Sequence, residues 1–290
     1  MAEQGSLEEH LQDIWLNWRE RTNRCLDCPH WGNGGAKAPH YGVGQITDAT
    51  PTVAFVGHEG GSSGNPALEH IANRETLNLS ESQVEEIKEH IRESYPEDFG
   101  ERRATDLTET GMCNGDLTDD GTPHSPFMKA CYDAFRNRDN THYGLYFTNM
   151  KKCGESYAFD ETESESKKAA SQCLGYLGPE LERLAPDIIV PFGNNAAGAV
   201  FNNYEFKGGC PTGFDVEHPY DASGIVSESL KLYETTNGIG VIPSIHFSER
   251  RFNYWFPRVL EGRDDLRNNM SKSDYWEKLV MISDRFLHHQ

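Results

Sequence analysis

The chain has 290 residues, of which 36% are hydrophobic, 25% charged and 11% aromatic, enough apolar material for a packed core and too much for a disordered chain. Against 27 Lys and Arg stand 46 Asp and Glu, a formal net charge of -19 at pH 7, which argues against a generic basic nucleic-acid binder. No apolar run approaches the roughly eighteen residues a membrane helix needs, and the acidic start MAEQGSLEEH has no apolar stretch behind it. Neither a membrane partner nor a secretion signal is expected, and a cytoplasmic location follows.

The length sits near the ceiling for one α/β domain, so residues 1–290 are read as a single domain with embellishments. Arginines outnumber lysines sixteen to eleven, and a Lys-poor, acid-rich surface is what a salt-adapted, halophilic protein carries to stay hydrated. Seven cysteines in an intracellular chain argue against a disulfide framework and toward metal binding or reactivity.

In chain order, Leu7, Leu11, Ile14, Trp15 and Trp18 fall at helical spacing and predict an amphipathic helix over Leu7 to Arg21 that delivers the chain to Cys25. A Gly- and Pro-rich loop follows. Thr52 to Gly57 (TVAFVG) is a short apolar run bounded by turn residues and predicts a buried strand. The stretch at about 62–122 breaks the rhythm: it is long and acidic, with its own helical pattern around Ser82 to Ser94, and reads as an insertion. Beyond it, helical patterns over Pro126 to Arg136, Ser164 to Leu184 and Asn194 to Asn202 are interleaved with further strands at Gly144 to Asn149, Asp187 to Gly193 and Gly238 to Ser244. Strands alternating with helices imply right-handed crossovers and an α/β sandwich. The tail at about 253–290 reads as a C-terminal helical extension, with Trp276, Leu279, Ile282 and Phe286 packing on the flank of the sheet.

Cys25 and Cys28 form C-x2-C in a loop, Cys153 follows the second strand, and Cys173 sits inside the next helical pattern. Four thiolates suit either zinc or an iron-sulfur cluster, and spacing does not choose between them. Cys113, Cys131 and Cys210 read as small buried hydrophobes. A parallel sheet gathers its strand ends at one carboxyl edge, where open α/β sheets place their ligand crevice. That edge would collect Gly57-His58-Glu59, Thr148-Asn149, Gly193-Asn194-Asn195 and Ser244-Ile245-His246.

The order of these motifs, C-x2-C, strand-GHEGG, S-P-F, T-N-M-K-K-C, a helical Cys, a strand running into G-N-N-A-A and V-I-P-S-I-H, resembles the iron-sulfur branch of the uracil-DNA glycosylase superfamily. The resemblance spans Cys25 to Cys28, Pro51 to Gly61 and about Pro123 to Arg250. It implies a three-layer αβα sandwich around a four-stranded parallel sheet, and a 4Fe-4S cluster, with zinc as the alternative, held by Cys25, Cys28, Cys153 and Cys173. By the same resemblance Phe127 stacks on an extruded base, Asn149 reads its edge, Gly57 belongs to the substrate-binding set, and His246 stabilises charge on the departing base. The implied partner is DNA carrying uracil or a damaged base, bound by a monomer.

The first motif departs from the family pattern G-E-x-P-G, with His58 directly after Gly57, Glu59 next, and no Pro before Gly61. Glu59 is the preferred water-positioning group and His58 the second, since a carboxylate holds water by two lone pairs. Downstream, Arg250, Arg251 and Phe252 provide two cations and an apolar wedge suited to a DNA stack, and Lys151 and Lys152 would extend the cationic rim. The expected activity is hydrolysis of an N-glycosidic bond in DNA. The altered first motif supports a second reading, a non-catalytic or repurposed cluster-bearing nucleic-acid- or nucleotide-binding protein.

Overall fold

The computed structural model describes residues 7–20, 22–26, 28–29, 43–45, 51–59, 134–135, 143–152, 163–246, 249–263, 265–266 and 270–289. Among them, six strands form one sheet: β1 (Val43–Gln45), β2 (Thr52–Glu59), β3 (Gly144–Lys151), β4 (Ile188–Pro191), β5 (Tyr233–Glu234) and β6 (Gly240–Val241), in the spatial order β1-β3-β2-β4-β6-β5. The inner four, β3, β2, β4 and β6, run parallel, and the short edges β1 and β5 are antiparallel. The parallel strands are the four expected from the apolar runs, and the antiparallel edges are additions of two and three residues. A two-sided burial explains the sequence of the inner strands. Val53 to Val56 are fully buried and β3 is buried along its whole length, so no polar alternation is required of them.

Helices cover the sheet: α1 (Leu7–Glu20), α2 (Glu163–Leu184), α3 (Gly193–Asn203), α4 (Ile225–Glu228), α5 (Glu249–Glu261) and α6 (Lys272–Leu287). In α1, Leu7, Leu11 and Ile14 enter the core, the i, i+4, i+7 stripe of an amphipathic helix. Helix α6 opens on a capping box, in which Ser271 accepts from the Asp274 amide and the Asp274 carboxylate accepts from the Ser271 amide, satisfying two donors that a helix start otherwise leaves open. Its Trp276, Leu279, Val280 and Phe286 join the same contiguous core as the strands. Helix α5 lies for the most part in the helical extension expected at about 253–290 and begins four residues before it. Phe252 and Val259 are its fully buried positions, and Pro257 inside it masks the pattern, because proline removes an i to i−4 bond and reads as a breaker.

From β2 the chain passes to β3 on one side and then returns to β4 on the other. The direction of winding therefore reverses between β2 and β4, and the carboxyl ends of those two strands diverge to leave a crevice. The insertion at 62–122, with its Ser82 to Ser94 helix, lies outside the described residues, as does all of the Pro126 to Arg136 helix except helical residues 134–135. No helix among the described residues is long and apolar enough to cross a membrane.

Candidate active site and thiol cluster

The crevice at the reversal point is a cavity of about 260 Å³ lined by His58, Phe192, Gly193, Asn194, Asn195, His246, Arg251 and Trp255. Such a volume lies just under the roughly 300 Å³ at which drug-sized ligand sites begin, which suits a single heterocycle better than a dinucleotide. His58 comes from the end of β2, residues 192–195 from the junction of β4 with α3, and His246 from the loop after β6.

Gly193 makes the turn into α3 at φ +80, a left-handed conformation that glycine adopts without steric penalty. Its amide donates to the Ser244 carbonyl at 2.7 Å, which ties the β4 end to the loop carrying His246. That loop is pinned from below by Tyr275 of α6, whose hydroxyl accepts from the Ile245 amide at 3.1 Å and lies 3.1 Å from the Ser244 hydroxyl. Burial, with the Arg251 guanidinium nearby, pushes the His246 pKa down to about 3, so the ring is neutral at pH 7. A neutral imidazole retains one N–H to donate.

His58 sits in a network. Its Nε2 lies 2.9 Å from the Tyr220 hydroxyl and 3.3 Å from the Asn195 amide nitrogen, and the Ser166 hydroxyl donates to Tyr220 at 3.3 Å. An amide nitrogen can only donate, so Nε2 accepts and the ring proton resides on Nδ1. The His58 ring, stacked edge-on to Tyr220 at 5.2 Å, is held in one orientation by residues 137 and 162 positions away in sequence.

Asn149 pairs across β3 and β2 with Gly57 and is buried. A Cβ on Gly57 would stand 2.3 Å from the Asn149 side-chain oxygen, so the absence of a side chain at 57 is what lets the amide lie across the strand. Asn149 is not among the cavity-lining residues; it stands one register position behind His58. Glu59 pairs through its backbone with Lys151, and its side chain, like that of Arg250, lies outside the described residues. So does the whole of Phe127 and of Cys153.

Two expectations are corrected. Phe252 is no wedge: it is fully buried, stacked with Phe256 at 5.2 Å and packed against Tyr275 and Trp276. Lys151 and Lys152 do not form a cationic rim, since both are buried. Lys152 makes an internal ion pair with Glu180 of α2, donates to the Thr148 hydroxyl at 2.8 Å, and shares Glu180 with the Tyr146 hydroxyl at 2.6 Å. Burying a charge requires a partner, and this one lies 28 residues away. Of the expected cations, Arg251 is exposed and reaches the cavity. Trp255 and Tyr220 are the site residues that the motifs did not single out. The i+4 spacing of Trp255 from Arg251 places both on one face of α5, which starts ahead of the expected extension.

Beside the middle of α2 and the carboxyl end of β3, Cys25, Cys28 and Cys173 come together. Cys28 and Cys173 are buried and Cys25 is half-buried. Desolvation and the neighbouring Cys173 push the Cys25 thiol up to about 12, Cys28 adding to the effect. The Cys25 sulfur lies 3.8 Å from the Tyr176 hydroxyl, and the Lys152 amide donates to the Cys173 sulfur at 3.5 Å, so the chain position preceding Cys153 abuts this cluster. Arg24 lies over Gly175, where a Cβ would meet its guanidinium at 1.9 Å. That close approach docks the C-x2-C segment on α2. Among the described residues no group of three His, Cys, Asp or Glu is spaced to grip a single metal ion.

No curated protein matches the chain. The model of the Uracil DNA glycosylase superfamily matches residues 115–279, more than half of the chain, taking in β3, β4 and β6 with α2 to α5 and the loop of His246. With a parallel sheet wound as described and its crevice at the reversal point, this chain belongs to the uracil-DNA glycosylase superfamily.

Proposed function

We propose that the protein is a DNA glycosylase that hydrolyses the N-glycosidic bond of uracil, or of a related damaged base, extruded into the crevice between β2 and β4. The observation that carries this reading is the convergence of His246, Arg251, Trp255 and the first turn of α3 on one cavity of single-heterocycle size. Bond cleavage leaves negative charge on the base, and a preorganised donor placed where that charge develops lowers the barrier. His246, neutral with its pKa near 3, offers an imidazole N–H for that purpose. Arg251 and the positive end of the α3 dipole add to the stabilisation. Trp255 presents an apolar wall against which a base can lie. Asn149 selects the base edge and Phe127 stacks on it, as the family motifs imply.

Because the His58 Nε2 already accepts from Tyr220 and Asn195, its lone pair is committed. This favours Glu59 as the group that positions water, with His58 as part of the wall that orients the site. Cys25, Cys28 and Cys173, with Cys153 completing the set, would hold a 4Fe-4S cluster in a structural role. The donor chemistry fits: soft sulfurs crowded in a desolvated setting resist ionisation until a cation compensates them, and a cluster spans a wider set of sulfurs than one ion does.

Incubation with a uracil-containing single-stranded oligonucleotide, then alkali to cut abasic sites, tests the activity at low and molar salt. Cutting is expected with uracil and not with cytosine at the same position. No cutting under any salt condition would favour the non-catalytic reading. Anaerobically purified protein should be brown, and a colourless preparation with one zinc per chain would overturn the cluster assignment.

A further inference from the structure

The helix that follows His246 carries more than the cavity uses. In α5, Phe252 and Val259 face the core. Arg251, Tyr254, Trp255 and Arg258 stand at i, i+3, i+4 and i+7 on the other face. Arg251 and Arg258 are exposed, and Tyr254 is 54% exposed, the highest value among the large aromatics of the described core and surface. The Arg258 guanidinium lies 3.5 Å from the Tyr254 ring centroid and bonds the Tyr254 carbonyl at 2.9 Å, while Trp255 meets Tyr254 edge-on at 4.9 Å. Neither arginine forms an ion pair among the described residues. On a chain of net charge -19, two such cations flanking an open aromatic ring, beginning at the rim of the cavity, form a local surface complementary to a phosphate backbone and its bases.

We propose that this stripe is a strand-binding ridge. Tyr254 stacks on a base beside the extruded nucleotide, with Arg258 covering its opposite face, and Arg251 and Arg258 contact the flanking phosphates. The occupant is a single-stranded segment continuous with the base in the cavity. The ridge thus rests on the glycosylase reading for its position but makes a separate claim about binding. Aromatic and arginine together suit a strand whose bases are unstacked, since a guanidinium lies flat on a ring as readily as it forks onto phosphate.

The test is fluorescence anisotropy of a labelled single-stranded oligonucleotide bearing a tetrahydrofuran abasic analogue, over a KCl series, with the full chain. Tyr254→Ala should weaken binding about 5- to 150-fold, the range of one lost base-aromatic stack, with the salt slope unchanged. Tyr254→Phe should restore most of it. Arg258→Gln should lower the slope of log affinity against log salt by about 0.7, the value for one phosphate contact on a single strand. A merely structural role for the pair would leave that slope where it was. Wild-type affinity and slope in Tyr254→Ala and Arg258→Gln, with unchanged melting curves, would overturn the ridge, as would a wild-type chain that binds no oligonucleotide. Uracil release by the wild type, followed separately, keeps the two claims apart. Release with unaltered binding in the variants removes the ridge alone; the expected binding pattern without release removes the glycosylase reading and leaves the ridge standing.

Discussion

The crevice at the carboxyl edge and the thiol cluster between α1 and α2 are both desolvated, yet burial has opposite consequences in them. At His246 it favours the neutral ring, which keeps one N–H to donate and, on the glycosylase proposal, offers it to the nascent base anion. At Cys25 it favours the thiol, which is the form unable to ligate a metal, and the nearby Cys173 reinforces the effect. On the proposed reading, one site is complete in its own side chains, while the other would need a cation to bring its sulfurs to the thiolate form. Strand β3 connects them. Asn149 lies beside Gly57 near the crevice, and three residues later Lys152 meets both Glu180 and the Cys173 sulfur.

That connection is the first place to break the comparison. Glu180→Ala leaves the buried Lys152 ammonium without its carboxylate and removes the acceptor of the Tyr146 hydroxyl. Breaking one half of a buried pair costs about 3–5 kcal/mol, readable as a fall in the urea midpoint. Replacing both partners with apolar residues, Lys152→Met with Glu180→Leu, should recover most of that loss, because no lone charge remains. A single variant within about 1 kcal/mol of wild type would mean that β3 is not anchored through this pair.

Next in size, His246→Ala should lower single-turnover base release about 100- to 1,000-fold, the usual effect of losing one donor to a developing anion. The far-UV dichroism should not change, since the ring lies on a loop held independently by the Gly193 amide and the Tyr275 hydroxyl. Release at the wild-type rate by the folded variant would remove His246 from the chemistry.

How much of this was legible in the sequence follows from the range of each interaction. The four parallel strands were readable because burial on both faces writes itself as an unbroken apolar run, in TVAFVG and GLYFTN alike. Their gathering at one edge followed from the alternation with helices, which put His58, Asn195 and His246 in one neighbourhood without any knowledge of contacts. Edges of two and three residues, β5 and β1, are too short to show a period. The errors at Lys152 and Phe252 share a cause. Each looks like a surface residue locally, and each is buried by a partner distant in the chain, Glu180 for one and Tyr275 with Trp276 for the other. Tyr220, which fixes His58 from 162 positions away, was unreadable for the same reason.

A third variant probes the strand crossing itself. Gly57→Ala would place a methyl 2.3 Å from the Asn149 side-chain oxygen, and either the amide or the strand must move. Overpacking of this kind costs about 1–3 kcal/mol. If Asn149 selects the base, the same variant should also blur discrimination between uracil and cytosine oligonucleotides. Lost stability with intact discrimination would confine Gly57 to packing.

The smallest effect is the most direct reading of the opposition between the two sites. His246 has a folded pKa near 3 against about 6.5 for a free imidazole. Between those values the unfolded chain binds a proton that the folded chain refuses, so stability rises with pH across the window and is lost on acidification. Well above pH 7 both states are neutral at this residue and it contributes no slope. By about pH 6 the loss from this one group is about 1 kcal/mol, and it grows as pH falls toward the folded value. His10, whose pKa is also lowered by burial, adds a slope of the same sign, so the quantity to compare is a difference between chains. His246→Gln cannot protonate, and its urea midpoint should therefore fall less than that of wild type between pH 7 and pH 6. Parallel midpoint curves for the two chains would show that His246 titrates in the folded protein as it does in water, and would remove burial as the cause that holds the ring neutral below pH 6.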